Sequence, residues 1–364
     1  MTPLGVMRKR QVLRVGFLPE NDCAPMVVAH EFGLFKKYGL EVAIHSEPSW
    51  KHIHNKIIHQ ELEAAHAPGM LPFLINVGLT PEACQCLTGM VLNLQGNAIT
   101  VSRELARLGV RDAATMREQV WRDRHKKTYT FGAPCPLASQ YALLCQWLKS
   151  AKAPAYPEVK IEQVPPEQLF PMLKLGYLDG FCAGEPWSSV AVQAGVGVCI
   201  TTSALLAPLH PEKILMVRKD FAEKRAEEHE RLIAALIEAC FICDEPSNRR
   251  ALCELLAQPR FVNAPAECLE PDLLGPFGPE SGLQSLHGLN IFSRCRANEP
   301  SAAKAAWLTG RLFEFLRWTV RPAGLSHVFR PDIFRRAQRL VPKDCLVASA
   351  APEPEASLAV PALS

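Results

Sequence analysis

Three histidines, His52, His54 and His59, crowd the segment "WKHIHNKIIHQ". Clustered imidazoles could ligate a metal. On a helix, however, His52 and His59 share a face while His54 points elsewhere. The spacing fits surface imidazoles better than a metal centre, and no metal or other cofactor is expected. Cys240 and Cys243 have the C-x-x-C spacing of redox and zinc cysteines. They fall inside the helical run "RLIAALIEACFICDE", where thiols serve as small buried apolar groups. The phosphate loops G-x-G-x-x-G and G-x-x-x-x-G-K-[ST], the nucleophile elbow G-x-S-x-G and the zinc motif H-E-x-x-H do not occur. No carboxylate pair calls for acid–base work, so the residues point to recognition, not catalysis. The polar candidates cluster at strand ends: "LPENDC", "EPSWKH" with Trp50, "AHAP", and "LQGNAIT". Ligands of open α/β sheets bind outside the carboxyl ends of strands, and the helix starts that follow favour an anion.

The elements that must position these residues alternate. "VLRVGFLP" reads as a buried first strand, "APMVVAHEFGLFKKYG" as a helix broken near Gly33, and "LEVAIHSE" as a second strand. Strand and helix signals continue to about residue 100, as α/β architecture requires. A second set follows: "KKTYTFGAPCPLAS", the helix "SQYALLCQWLKS", the strand "EVKIEQVPP" and the unit "EQLFPMLKLGYLDGFCAGEPW". "IIHQELEAAHAPGM" and "MLKLGYLDGFCAGEP" echo one another, each a helix leading to a short strand that ends in small residues and proline. The echo predicts two lobes of similar topology. Mostly helix follows from about residue 205, including "SAAKAAWLTGRLFEFLRWT", whose Trp307, Phe313, Phe315 and Leu316 read as core anchors. The tail "VASAAPEPEASLAVPALS" is too poor in large apolar residues to pack.

Composition agrees. A chain of 364 residues exceeds the usual size of a single core. Apolar content of 48% and charged content of 21% are globular values, and a net charge of +3 without a long basic run gives no nucleic-acid footprint. No uncharged apolar run is long enough to span a membrane. "MTPLGVMRKRQVLRVGFLP" lacks the h-region and cleavage site of an export signal, and the thirteen cysteines have no disulfide-scaffold spacing. Both features lead to an expected cytoplasmic location, with a periplasmic one as the alternative if a signal has been removed.

"GFLPENDCAPMVVAHEFGLFKKYGLEVAIHSEPSWKHIHNKI", "LEAAHAPGMLPF", "NLQGNAIT", "LKLGYLDGFCAGEPW" and "HPEKILMV" together resemble the nitrate- and bicarbonate-binding proteins of the periplasmic solute-receptor superfamily. The likeness runs over roughly residues 12–340. It implies a two-lobed, periplasmic-binding-protein-like α/β fold of type II, with the ligand cleft between the lobes. The expected division is residues 11–103 for the first part of lobe one, 104–204 for lobe two, 205–345 for a return to lobe one with C-terminal helices, and 346–364 for a disordered tail. The resemblance makes Trp50 the pocket wall, Asn97 a directed donor and Lys213 the cationic donor to the anion. Gln140 takes a position where family members often carry histidine, and it can donate but not gain charge. Gln95, Gly96, Ser139, Tyr141 and Glu185 are expected around them. No acidic calcium loop of the bicarbonate branch is evident, which puts nitrate or nitrite ahead of bicarbonate.

The resemblance further implies a non-enzymatic role as a cytoplasmic nitrate/nitrite sensor, releasing an RNA-binding antitermination regulator when ligand binds. The alternatives are the substrate-binding component of an ABC transporter, partnered by its permease, and an enzyme on a related two-lobed fold. Neither direct nucleic-acid contact nor a membrane span is expected.

Overall fold

The computed structural model describes residues 11–79, 84–135, 138–150, 158–275, 289–317 and 325–347. Most of the expected tail lies outside them; Lys343–Val347 forms a short helix.

Alternating strand and helix units build two five-stranded sheets. The first holds Leu13–Phe17 (β1), Val42–Ser46 (β2), Ala64–Pro68 (β3) and Cys86–Val91 (β4). After Leu94–Gln95 (β5), the second holds Asn97–Ser102 (β6), Tyr129–Ala133 (β7), Val159–Gln163 (β8), Gly180–Gly184 (β9) and Gly197–Thr202 (β10). The chain then returns to the first sheet as Lys213–Arg218 (β11), and Asn290–Ile291 (β12) pairs with β5. The orders are β2-β1-β3-β11-β4 and β10-β6-β9-β7-β8. Within each, the strand that enters from the other lobe runs antiparallel: β11 against β3 and β4, β6 against β9 and β10. The sheets thus have matching topology, as the internal echo predicts, and the fold is the two-lobed periplasmic-binding-protein type II. β6 corrects the expected boundary at 103: its backbone pairs wholly within the second sheet, so the chain changes lobe before Asn97.

Two segments cross between the lobes and are bonded side by side. Leu92 N–H donates to Lys213 O at 2.8 Å, Gln95 N–H to His210 O at 3.0 Å and Glu212 N–H to Asn93 O at 3.1 Å. Gly96 sits in this crossing with φ +89, and a Cβ there would collide with Asn290 Oδ1. Only glycine meets both demands.

The helix Ala226–Asp244 covers one face of the first sheet, burying Leu232, Ile233, Leu236, Cys240 and Cys243 with Phe17 of β1 and Leu215 of β11. Both cysteines of the C-x-x-C are inaccessible, and burial pushes their thiols well above the ordinary range. A second apolar cluster joins the other face of that sheet to Phe131, Leu144 and Trp147 of lobe two. Trp307 is buried there, while Phe313, Phe315 and Leu316 pack partly buried at its edge.

Candidate ligand site

The helix Trp50–Ile58 begins where β2 ends. Ser49 Oγ accepts the His52 N–H at 3.3 Å, capping the first turn. Trp50, Ile53, Ile57 and Ile58 form the buried stripe, which leaves His52 and His59 exposed. Among the described residues no group of three or more His, Cys, Asp or Glu is placed to hold a metal ion. The buried Trp50 ring tilts against His66 at 5.9 Å, and Lys213 Nζ stands 5.4 Å from its centroid. Its indole Nε1 has no hydrogen-bond partner among the described residues.

Lys213 opens β11, with its backbone N–H held by Asn93 Oδ1 at 3.0 Å. Its ammonium donates to Asp22 Oδ2 at 2.6 Å and Glu212 Oε1 at 3.0 Å, and lies 3.3 Å from Glu20 Oε2. Burial alone would lower its pKa. The carboxylates of Asp22, Glu20 and Glu212 outweigh that and hold it well above the ordinary value. Asp22 is shifted down to about 2: burial works against the charge, but Lys213 and His66 prevail. His66 Nε2 lies 3.0 Å from Asp22 Oδ1. Glu20 moves the other way, up to about 8, because burial dominates and Asp22 and Glu212 add repulsion, with Lys213 opposing.

Glu212 joins the lobes. From lobe two, Asn97 Nδ2 donates to its Oε2 at 2.6 Å, Ser139 Oγ to the same oxygen at 2.5 Å, and Gln140 Nε2 to Oε1 at 3.0 Å. Asn97 is the first residue of β6, and Ser139 and Gln140 start the helix Ser139–Ser150. Asn97 Oδ1 and Gln140 Oε1 have no partner among the described residues. Glu20, Asn97, Gln140, Glu212 and Lys213 are all 0% exposed, so the lobes are closed over the site.

Four of the sequence candidates therefore converge: Trp50, Asn97, Gln140 and Lys213, with Ser139 beside them. Gln95 and Gly96 belong to the crossing that leads into Asn97. Glu185 sits at the end of β9, where its carbonyl accepts the Asn21 N–H at 2.7 Å and its Oε2 accepts the Ser189 N–H at 3.1 Å. Burial and the nearby Asp272 push its carboxyl up to about 8. Tyr141 does not join the site; its ring meets Phe315 edge-on at 5.4 Å. One residue along a helix is a rotation of roughly 100°, which turns it away from the Gln140 face. Glu20, Asp22, His66 and Glu212 are the residues that sequence reasoning missed. The signal for them was their place in strand-end segments already singled out, "LPENDC", "AHAP" and "HPEK".

Side chains from both lobes thus meet in one buried polar cluster, with amide donors from lobe two and the Trp50 ring beside Lys213. Residues 8–257 match the NMT1-like family. The chain belongs to that family. It is 34% identical over 337 residues to the nitrate import ATP-binding protein NrtC of Synechocystis sp., which covers 90% of this chain and 50% of NrtC. Identity is 30% over 335 residues to the bicarbonate transport ATP-binding protein CmpC of Synechococcus elongatus, covering 90% of this chain and 49% of CmpC. The chain thus spans about half the length of these relatives. The crystal structure of the periplasmic nitrate-binding protein NrtA from Synechocystis PCC 6803 superposes with a TM-score of 0.82, at 24% identity and with 94% and 92% of the two chains covered. These proteins are named for import and binding, not for a reaction. They overturn the expected cytoplasmic sensor that releases an RNA-binding antiterminator, and the cytoplasmic location with it. The location rested on the N-terminal segment and the cysteines, and the sensor role with its antiterminator rested on resemblance alone, with no residue pattern that marks a partner surface.

Proposed function

We propose that this NMT1-like chain is the solute-binding part of an ABC import system for a small planar oxyanion, nitrate or nitrite first and bicarbonate next. Trp50, Asn97, Gln140 and Lys213 are its ligand-contacting residues. One observation carries the reading: residues from both lobes, far apart in sequence, meet at one buried cleft with an ammonium, two amides and an unpartnered indole N–H. Trp50 offers a flat wall to a planar anion, and Lys213 supplies charge-assisted donors once the anion competes with its carboxylates. Lobe closure around the solute is the working motion. The names of NrtC, CmpC and NrtA support both the ligand class and transport, and NrtA supports a periplasmic place of action. The protein partner is then a transporter permease. Calorimetric titration of the purified chain with nitrate, nitrite and bicarbonate tests the reading; saturable binding of at least one is expected. Failure of all three to bind would refute it.

A further inference from the structure

Three carboxylates surround the single ammonium of this cleft. Glu212 and Asp22 each accept a bond from Lys213, but Glu20 does not. Both Glu20 oxygens are buried without a hydrogen-bond partner among the described residues, although Lys213 Nζ lies 3.3 Å from Oε2. The carboxyl also reaches across to lobe two. A Cβ built on Gly184, at the end of β9, would stand 2.8 Å from Glu20 Oε1, so the absent side chain there makes room for it. Gly184 is in register with Asn97, one of the amide donors. The same cleft holds the unpartnered Trp50 Nε1 and Gln140 Oε1. A bare anion entering here faces Glu20, Asp22 and Glu212, which among the described residues are offset by Lys213 and, at Asp22, by His66; like charges in a dry site are costly.

We infer that Glu20 is a specificity determinant that makes the cleft bind one small oxyanion together with one proton, shared between the Glu20 carboxyl and the ligand. This rests on the oxyanion-receptor reading and deepens it. Nitrate carries no hydrogen. Glu20 therefore takes a proton from solvent, and its O–H donates to a nitrate oxygen; no bond of the ligand forms or breaks. Bicarbonate brings its own O–H, which donates to the ionised Glu20, and no proton is taken from solvent. The other groups facing this carboxyl do not replace it. Asp22 is held ionised by Lys213 and His66, Glu212 is engaged by Asn97, Ser139, Gln140 and Lys213, and His210 stands 3.7 Å behind Glu212 with burial favouring its neutral form. Glu185 is the competing proton acceptor, pushed up to about 8 like Glu20, but its neighbours are Ser189 and Asp272.

The test is calorimetry of the whole chain with nitrate in buffers of differing ionisation enthalpy. At about pH 9, nearly one proton should be taken up per nitrate, and affinity should fall about tenfold per pH unit above the free Glu20 value. Bicarbonate at the same pH should bind without uptake. Glu20→Gln keeps a donor but cannot titrate, so uptake and slope should both vanish. Nitrate binding without proton uptake would overturn the inference while leaving the receptor reading intact. So would a Glu20→Gln slope equal to wild type, or a slope abolished by Glu185→Gln instead. No binding of any oxyanion refutes both. The wild-type uptake decides the matter even if Glu20→Gln folds poorly.

Discussion

Replacing Lys213 by methionine tests the buried charge cluster most directly. Methionine keeps the length and apolar stem but removes the charge. At pH 7 the Asp22 and Glu212 carboxylates then stand in a dry cleft without their counter-ion, beside a Glu20 carboxyl raised to about 8; in the parent Asp22, Glu212 and Glu20 lie 2.6, 3.0 and 3.3 Å from the ammonium. At an effective dielectric of about 20, each such pair is worth roughly 5–6 kcal/mol before desolvation is subtracted. Desolvation of the ammonium, itself 0% exposed, cancels much of this sum. Breaking a buried pair by removing one partner has a net cost of about 3–5 kcal/mol. That is a large fraction of the ~5–15 kcal/mol by which proteins are stable. Lys213→Met should therefore shift urea unfolding at pH 7 by about 3–5 kcal/mol. The loss should shrink at pH 5, where the stranded carboxyls can take up protons. Adding Asp22→Asn to Lys213→Met should recover part of the loss, giving a coupling energy of about 1 kcal/mol or more. A single-variant loss below about 1 kcal/mol, or no coupling to Asp22, would refute the claim that Lys213 is held by its carboxylates.

Other predictions concern the carboxyls, the amide and the crossing. Glu20 and Glu185 are both raised from 4.5 to about 8 by burial, so the folded state holds protons that the unfolded state has released. Their contribution is fully present below about pH 4.5 and is lost as pH rises through about 8, each carboxyl giving up about 1.4 kcal/mol for every pH unit climbed between those limits. Stability measured across that window should fall with rising pH, and Glu20→Gln or Glu185→Gln should each flatten the curve; a flat wild-type profile would contradict both raised carboxyls. Gln140→His places a titratable donor where the amide now stands 3.0 Å from Glu212, so nitrate affinity should rise as pH drops through the imidazole range, whereas an unchanged pH profile would remove residue 140 from the ligand. Gly96→Ala combines a left-handed backbone with a clash against Asn290, and a loss of roughly 2 kcal/mol or more in thermal unfolding is expected; wild-type stability would mean the crossing is more pliable than its geometry implies.

The fold is legible in the sequence because its signals are local. Buried runs such as "LRVGF" and the Ser49-capped stripe of Trp50, Ile53 and Ile57 announce themselves within one element. The helix break at Gly33 is equally local, with φ +70. The exchange of sheets is less legible: Asn97–Ser102 follows the first lobe in sequence, and only its partners Gly180–Gly184 and Gly197–Thr202 assign it to the second. Within the site, Trp50, Asn97, Gln140 and Lys213 emerge through family resemblance. The acids around Lys213 do not, because a search for an anion site looks for cations and donors. Asp22 and Lys213 are 191 positions apart, and nothing near either announces the other. Tyr141 is misassigned for the opposite reason, since adjacency to Gln140 in sequence is separation around a helix.

The paired crossing strands carry a mechanical consequence. Asn97 starts the strand just past Gly96, and Lys213 starts the strand just past Glu212, so both donors are anchored at the fulcrum of the two lobes. Points near a pivot travel little when its arms swing. If the proposed receptor opens about this crossing, its outer rims part widely while these two donors keep nearly their closed separation, and a solute would meet a half-built site that Ser139 and Gln140 complete as the arm comes down.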